Sequence, residues 1–268
     1  MKNNTDPNYR VVEFNLKLPI KIEFPLPDKR TLVQGPLTYN ADGFATKHNC
    51  DFLKEPKFQK SYELGINEIR NTLPPDHCIR WRAFVACWAA NHAQNFQGDF
   101  VECGVQTGVL SRTIMNYIDF QSMSDRKFFL LDTYCGIPLE QLTEAEKDIH
   151  KGNINELNKG YFENYEQIKK KFSEFSNVVI IRGKVPFTLK EVKSERICYL
   201  SIDMNIMVPE IAAGEYFWDK LVHGAPVLLD DYGWPGHIQQ KLAWDNFADK
   251  HGVKVLPLPT GQGLLIKP

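Results

Sequence analysis

Five short, nearly continuous hydrophobic runs occur along the middle and the C-terminal part of the chain. They cover residues 100–103, 128–131, 178–181, 197–202 and 227–229. Runs of this length are typical of parallel strands that are covered on both faces. The stretches between them, such as residues 110–118 and 165–175, have the pattern of helices. This alternation predicts an α/β fold with a doubly wound sheet.

Residues 78–96, which precede the first run, also predict a helix. Its apolar residues follow the i, i+3, i+4, i+7 spacing that places side chains on one face. The predicted buried stripe consists of Trp81, Phe84, Val85, Trp88, Ala89 and His92. We interpret His92 as a hydrogen-bonded core residue rather than as a ligand.

The N-terminal part of the chain has a different pattern. Every second residue from 12 to 26 is apolar, which indicates an extended segment with one apolar face. Its prolines at positions 19 and 25 argue against a central strand. We interpret residues 1–75 as an N-terminal extension, or arm, that packs on the domain of residues 76–268 or on a second subunit in a homodimer. The alternative is a partly ordered tail.

Residues 136–164 form a long polar stretch between two predicted strands. Long connections within compact domains are uncommon and are often functional. We interpret this stretch as an insertion above the strand ends that would act as a lid over a binding site.

Composition narrows the classes of function. The 268 residues include 32 Lys and Arg against 33 Asp and Glu, so the net charge is −1 and the basic field of a nucleic-acid-binding protein is missing. No apolar run has the ~20 residues of a membrane span, and the N-terminus has no apolar signal core. The six cysteines form no CxxC pair, which argues against a zinc site. We therefore expect a cytoplasmic protein with reduced cysteines and no membrane or nucleic-acid partner.

Glycines and carboxylates follow the predicted strands. In an open α/β sheet, ligands bind at the carboxyl ends of the strands. Gly104 and Gly108 come after the first strand and Asp132 after the second, which suggests a nucleoside whose ribose Asp132 would hold. The fourth and fifth strands are followed by three further acids, Asp203, Asp230 and Asp231.

Three carboxylates suit a hard divalent cation such as Mg²⁺, and a cation would relieve the repulsion between adjacent aspartates. Each feature also has a structural interpretation. The glycines would then only allow close packing, while Asp230 would cap the next helix and Asp231 would pair with an Arg or Lys.

Four segments resemble motifs of the macrocin O-methyltransferase family, in order along the chain. Residues 98–108 resemble its motif I. Residues 132–138 resemble its second signature, an acidic residue before a Gly-x-Pro turn. Residues 178–183 are similar to its third strand and the glycine that follows, and residues 230–232 to its metal-binding pair. The match covers roughly residues 98–268.

The resemblance implies a Rossmann-like class I methyltransferase sheet of seven strands, mostly parallel, with an antiparallel C-terminal hairpin at residues 256–266. It implies S-adenosylmethionine as cofactor and Mg²⁺-dependent methyl transfer to the hydroxyl of a sugar or another small molecule. Asp203, Asp230 and Asp231 would hold the metal. The implied cofactor residues are Glu102, Gly104, Val105, Gly108, Ser111, Asp132, Thr133 and Gly183.

A general base is needed to take the proton of the acceptor hydroxyl. Asp203 is our first candidate, because it would lie between metal and acceptor. His237 is the second, since a neutral imidazole accepts a proton near pH 7. His237 is equally compatible with an ordinary surface position on a helix.

The fourth motif departs from the family pattern of Asp-Gly-Asp, an apolar residue and Tyr. Here it reads Asp203-Met204-Asn205-Ile206-Met207. The first acid of the metal site is kept. Asn205 and Met207 replace the second Asp and the Tyr, and these departures bear on the acceptor pocket.

Two other classes of function remain open from the sequence. A nicotinamide-dependent oxidoreductase shares the fold pattern, but it normally carries GxGxxG and an acid about 20 residues later. Here Asp132 comes 28 residues after Gly104. A non-catalytic protein that binds the cofactor or a glycan is the other alternative. The presence of all the acids of the site argues against it.

Overall fold

A computed structural model describes residues 37–67, 78–149 and 154–268. The predicted extended segment at residues 12–26 lies outside these ranges, so the arm and the homodimer that it would form stay predictions. Within the described ranges, no helix has both the length and the apolar character needed to cross a membrane.

The first described elements form a hairpin, followed by two helices. β1 (Tyr39–Ala41) and β2 (Phe44–Thr46) are antiparallel. A 3-10 helix (Asp51–Lys54) and α1 (Pro56–Ile66) follow, and then α2 (Arg80–Ala93). Although residues 1–75 were predicted to be an extension, their described part contributes buried side chains such as Phe58 and Tyr62 to the main core.

The remaining elements alternate between strands and helices, as the sequence predicts. The strands are β3 (Asp99–Cys103), β4 (Phe128–Asp132), β5 (Val178–Arg182), β6 (Ile197–Ile202), β7 (Pro226–Leu229), β8 (Leu256–Pro257) and β9 (Gly263–Ile266). The helices are α3 (Val109–Tyr117), α4 (Glu144–Ile149), α5 (Tyr165–Lys171), α6 (Met207–Trp218) and α7 (Ile238–Lys250).

The seven strands β3–β9 form one sheet in the order β5-β4-β3-β6-β7-β9-β8. β5, β4, β3, β6 and β7 are parallel, and β9 is antiparallel to both β7 and β8. This confirms the predicted seven-stranded, mostly parallel sheet and its antiparallel C-terminal hairpin. The hydrophobic runs are strands because both faces of the sheet are covered, by α1–α3 on one side and by α6 and α7 on the other.

α2 is a helix as predicted, but its predicted buried stripe is wrong at Trp88, which is 49% exposed. The fully buried face consists of small residues, of which the prediction contained only Ala89: Ala83, Ala86, Cys87, Ala89, Ala90 and Ala93. Small side chains let a helix lie close to its neighbours, so the large residues are displaced to the flanks. His92 is hydrogen-bonded as predicted, through Nε2 to the carbonyl oxygen of Gly224 at 3.2 Å.

Candidate active site

Four neighbouring parallel strands end in the same row of the sheet. Cys103 of β3 is paired with Leu131 of β4 and with Ile202 of β6. Ile202 is in turn paired with Leu229 of β7. The residues that follow these strand ends therefore lie along one edge, as the sequence predicts: Gly104, Asp132, Asp203 and Asp230.

Gly104 lies where the backbones after β3 and β6 approach each other most closely. Its φ of +89° is in the region that favours glycine. A Cβ at this position would overlap the backbone carbonyl of Asp203. The N–H of Asp203 donates to the carbonyl oxygen of Cys103 at 2.8 Å, which fixes this approach. Glycine at position 104 therefore sets the position of Asp203.

Asp132 connects the loops that follow β3 and β4. Its Oδ2 accepts hydrogen bonds from the backbone N–H groups of Val105 at 2.6 Å and Gln106 at 2.8 Å. Its Oδ1 accepts one from the N–H of Tyr134 at 2.6 Å. The carboxylate predicted to hold a ribose thus also orders the glycine loop.

Glu102 is almost completely buried on β3, and its Oε2 accepts a hydrogen bond from Ser111 Oγ at 2.7 Å. Burial raises the pKa of Glu102 to about 8, against the lowering effect of the Ser111 hydroxyl. Among the described residues, no cation forms a salt bridge with Glu102. A positively charged ligand in the adjoining cavity would therefore stabilise its ionised form.

Two of the cavities along this edge of the sheet border Asp203. The smaller, of about 60 Å³, is lined by residues that include Gly104, Asp132, Thr133, Gly183 and Asp203. The larger, of about 290 Å³, is lined by Glu102, Val105, Asp203 and Asp230 among others. Asp203 lines both, so the predicted cofactor residues and the predicted metal residues meet at one site.

Two of the predicted cofactor residues lie away from these cavities. Gly108 precedes α3, and a Cβ there would lie 2.8 Å from the Phe172 ring. Ser111 is fully buried and acts on the site through its hydrogen bond to Glu102.

Asp203, Asp230 and Asp231, here called the acid cluster, each offer a carboxylate oxygen within 4.8 Å of the others. Burial, followed by the charges of Asp230 and Asp231, raises the pKa of Asp203 well above its usual range. Burial also raises the pKa of Asp231. Asp231 is only 8% exposed, and its Oδ2 has no hydrogen-bond partner among the described residues. Crowded carboxylates with a buried unpartnered oxygen fit a cation site.

Asp230 has two side-chain partners within the protein. Its Oδ2 accepts a hydrogen bond from an Arg82 Nη at 2.6 Å, and its Oδ1 accepts one from Gln262 Nε2 at 2.9 Å. The sequence left open that Asp231 pairs with an Arg or Lys. An arginine partner is present, but it pairs with Asp230 and not with Asp231. The helices that follow have no side-chain cap, so Asp230 caps neither of them.

The described part of residues 136–164 contacts the elements around the site. Ile137 and Leu142 pack with Ile206, which precedes α6, in a small apolar cluster. Glu146 on α4 is buried, and its Oε1 accepts a hydrogen bond from the N–H of Met207 at 2.7 Å. The carboxylate of this insertion therefore caps α6 directly after the fourth motif.

Tyr161, from the same insertion, lines the smaller cavity. Burial and then the charges of Asp203 and Asp231 raise its pKa above the usual range of tyrosine. Its hydroxyl therefore stays protonated near neutral pH and is available as a hydrogen-bond donor in the cavity.

Asn205 occupies the position of the second Asp in the family motif. Its φ of +62° is in the left-handed region, which Asn tolerates better than most residues. Its Nδ2 lies 3.4 Å from Asp203 Oδ1, at the limit of a hydrogen bond. An amide at this position adds no negative charge to the acid cluster.

His237 lies in the 3-10 helix Pro235–His237, just before α7. Its Nδ1 lies 2.7 Å from Gln240 Nε2, and its charge lowers the pKa of Asp231. His237 therefore has a partner on one ring nitrogen and interacts electrostatically with one residue of the acid cluster.

Sequence reasoning missed Arg82, Asp42, Glu146 and Tyr161. A signal exists for two of them. Arg82 is a charged residue within an alanine-rich apolar helix, and Asp42-Gly43 is a dipeptide typical of two-residue hairpin turns. Neither pattern indicates a contact with the carboxylates after β7.

Comparisons with known proteins agree with this architecture. The family model of macrocin O-methyltransferase (TylF) matches residues 78–258. The O-methyltransferase NovP is 17% identical, with a TM-score of 0.63 over 78% of this chain and 97% of that one. CalS11, a calicheamicin methyltransferase, is 15% identical, with a TM-score of 0.52 over 87% of this chain and 98% of that one. Comparison with curated protein sequences gives no match.

The structural likenesses establish the fold, and the family match covers more than half of the chain. The family match decides for the methyltransferase against the oxidoreductase and the non-catalytic binding protein. The chain belongs to the macrocin O-methyltransferase family and is an S-adenosylmethionine-dependent O-methyltransferase.

Proposed function

We propose that this enzyme transfers the methyl group to a hydroxyl of a sugar or another small molecule, and that Mg²⁺ bound by the acid cluster is required. The observation that carries the proposal is the convergence of Asp203, Asp230 and Asp231 within 4.8 Å, beside the cavity that contains Glu102. Carboxylate oxygens are the ligands that Mg²⁺ prefers.

The residues fit a cation in two respects. Asp231 Oδ2 is buried without a partner among the described residues, and a buried unsatisfied carboxylate oxygen is costly. Burial, and then the charges of Asp230 and Asp231, raise the pKa of Asp203, and a bound cation favours the ionised form. Asp203, Asp230 and Asp231 would hold the ion.

The residues also fit S-adenosylmethionine. Asp132 and Thr133 line the smaller cavity, where a carboxylate can accept the two ribose hydroxyls. Glu102 lines the larger cavity as a buried carboxylate without a cation among its described partners. The ammonium group of the methionine moiety would supply that cation. Gly104, Val105 and Gly183 would let the backbone approach the cofactor.

When bound, the cofactor supplies an activated methyl group, and Mg²⁺ supplies a Lewis acid that lowers the pKa of the acceptor hydroxyl. The protein's own part is to align the acceptor oxygen and remove its proton. We assign the proton to a carboxylate oxygen of Asp203, which borders both cavities. His237, which interacts electrostatically with Asp231, is the second candidate for this role.

The larger cavity, of about 290 Å³, would hold the methionine moiety at Glu102 and leaves room beside Asp203 only for a small acceptor. Tyr161, which stays protonated near pH 7, would donate a hydrogen bond to an acceptor oxygen. The insertion at residues 136–164 would act as a lid that excludes water, since its described part packs beside the fourth motif.

The test is calorimetric titration of the full chain with MgCl₂ in the presence of S-adenosylhomocysteine, followed by transfer of labelled methyl to a panel of sugars and small hydroxylated compounds. Asp230→Asn with Asp231→Asn should abolish Mg²⁺ binding and transfer while the fold is kept. Asp125→Asn with Asp249→Asn, which removes the same charge from the surface, should change neither. Full transfer in the first double variant, or in excess chelator, would contradict the role of Mg²⁺.

A further inference from the structure

Arg82 on α2 connects the acid cluster to the N-terminal hairpin. One Nη donates to Asp230 Oδ2 at 2.6 Å. Nε and the other Nη donate to the two carboxylate oxygens of Asp42 at 3.0 and 2.5 Å. The side chain of Arg82 is 15% exposed and that of Asp42 11%. Both charges are therefore largely shielded from water, where screening by salt is weak.

The hairpin holds Asp42 in a defined place. Asp42 and Gly43 form its two-residue turn, and both have positive φ, at 55° and 73°. A Cβ at Gly43 would lie 3.1 Å from the Trp234 ring, so the turn packs directly on that ring. The Arg82 guanidinium lies 5.4 Å from the centre of the same ring. The Asp42–Arg82 pair is thus built into the packing of the site.

Negative charge exceeds positive charge at this place before any ligand binds, because four carboxylates face one guanidinium. The acid cluster carries three carboxylates, and Arg82 is the only Arg or Lys that forms a salt bridge with one of them in the part of the chain that the structure describes. Asp42 offsets the charge of Arg82 and holds its guanidinium through two hydrogen bonds. Arg82 also borders the larger cavity, together with Asp203 and Asp230.

We propose that Arg82 is a built-in counter-cation of the acid cluster. Its positive charge sets the affinity of the cluster for the divalent metal ion, and Asp42 reduces the effect of that charge. The proposal rests on the metal site of the proposed function. A guanidinium and a metal ion that share Asp230 repel each other, so the arginine lowers the affinity for the ion. Asp42 acts in the opposite direction, because its negative charge partly cancels that of Arg82.

This assignment predicts opposite effects for the two partners of one salt bridge. Arg82→Met removes the positive charge while it keeps an unbranched side chain, and it should tighten Mg²⁺ and Mn²⁺ binding on the order of tenfold. Asp42→Asn leaves the arginine uncompensated and should weaken binding by a similar factor. Arg82→Lys keeps the charge and should stay close to wild type. A purely structural role of the pair would weaken binding in both Arg82→Met and Asp42→Asn.

The measurement is calorimetric titration of the full chain, stripped by chelator, with MgCl₂ and separately with MnCl₂. Lys250→Met, which breaks the surface pair with Glu215, is the matched loss of one positive charge and should leave the affinity unchanged. Thermal unfolding in chelator shows which variants are folded. If Arg82→Met does not fold, Arg82→Gln, which also removes the positive charge and keeps a hydrogen-bond donor, takes its place in the comparison.

The outcomes separate this inference from the proposed function. Tighter binding in Arg82→Met together with weaker binding in Asp42→Asn supports the counter-cation. Weaker or unchanged binding in Arg82→Met overturns it, while the metal site of the wild-type protein stands. Binding in Arg82→Met but not in wild type supports the counter-cation and overturns the Mg²⁺ requirement. Absence of binding in both overturns both proposals.

Discussion

Asp132 and the acid cluster lie at the ends of neighbouring strands, yet their carboxylates are satisfied in different ways. Asp132 accepts three backbone N–H groups from the loops after β3 and β4. In the acid cluster, burial and like charges raise the pKa of Asp203, and Asp231 Oδ2 has no partner in the described ranges. The chain itself orders the region around Asp132, whereas the acid cluster is held together against repulsion. This difference is why we propose a cation for the acid cluster and none for Asp132.

Asp231→Asn should have the largest effect among the variants that test this difference between Asp132 and the acid cluster. The change removes a predicted metal ligand, so affinity for Mg²⁺ should fall by more than about 100-fold in calorimetry. In chelator the same variant should be more stable than wild type, because the folded-state pKa of Asp231 is raised and its ionised form is costly at neutral pH. The melting temperature should rise by about 2 to 4 °C.

Asp230→Asn is the matched comparison. Asp230 has a cationic partner in Arg82, so loss of its charge leaves the buried guanidinium with Asp42 alone. This variant should also lose Mg²⁺ affinity, but its melting temperature in chelator should fall. A fall in both variants would show that Asp231 is satisfied in the metal-free protein.

The sequence predicts the sheet well because the relevant information is local. Each parallel strand is a hydrophobic run, and each of the three strand ends with an acid, at Asp132, Asp203 and Asp230, lies at the predicted edge. The positions of Asp132 and Asp203 follow from register alone. The sequence also predicts that the backbone at Gly104 comes close to another group, but it does not predict that this group is the Asp203 backbone.

Other parts of the site depend on contacts that no local pattern contains. Arg82 and Asp230 are 148 positions apart, and their pairing depends on how α2 packs on β7. The prediction for α2 fails at Trp88 for the same reason, because contacts with neighbouring elements decide which face is buried. Ala83 and Ala86 allow close packing there, whereas Trp88 is too large for it. The cap that Glu146 provides for α6 joins residues 61 positions apart.

Glu102, another buried carboxylate of the site, makes the stability of the protein depend on pH. Its pKa is raised to about 8 in the folded protein, mainly by burial, from an ordinary value of 4.5. Between these values the folded state keeps a proton that the unfolded state has lost, so stability falls as pH rises. From pH 5.5 to 7.5 the free energy of unfolding should fall by roughly 2 to 3 kcal/mol relative to Glu102→Gln.

Denaturant unfolding of both proteins at several pH values measures this difference. Glu144→Gln, on an exposed carboxylate, should follow wild type. A parallel pH dependence of wild type and Glu102→Gln would show that Glu102 is already ionised in the ligand-free protein.

Asp132→Ala tests the carboxylate that backbone N–H groups already satisfy. It should weaken S-adenosylhomocysteine binding by about 1 to 3 kcal/mol, through loss of charge-assisted hydrogen bonds and of the order that Asp132 gives to Val105 and Gln106. Calorimetry with the cofactor product measures the change. Asp125→Ala is the surface control, and unchanged affinity in Asp132→Ala would contradict the ribose assignment.

The smallest expected effect concerns Glu146, which lies outside both carboxylate regions but contacts the segment between them. Glu146→Ala leaves the N–H of Met207 without its acceptor at the start of α6, at a cost of about 1 kcal/mol. Hydrogen exchange should speed up at Met207 and the residues that follow it. Glu144→Ala on the same helix removes an exposed carboxylate and should leave these amides protected. Equal protection in the two variants would mean that α6 is capped without the insertion, and that the insertion moves independently of the fourth motif.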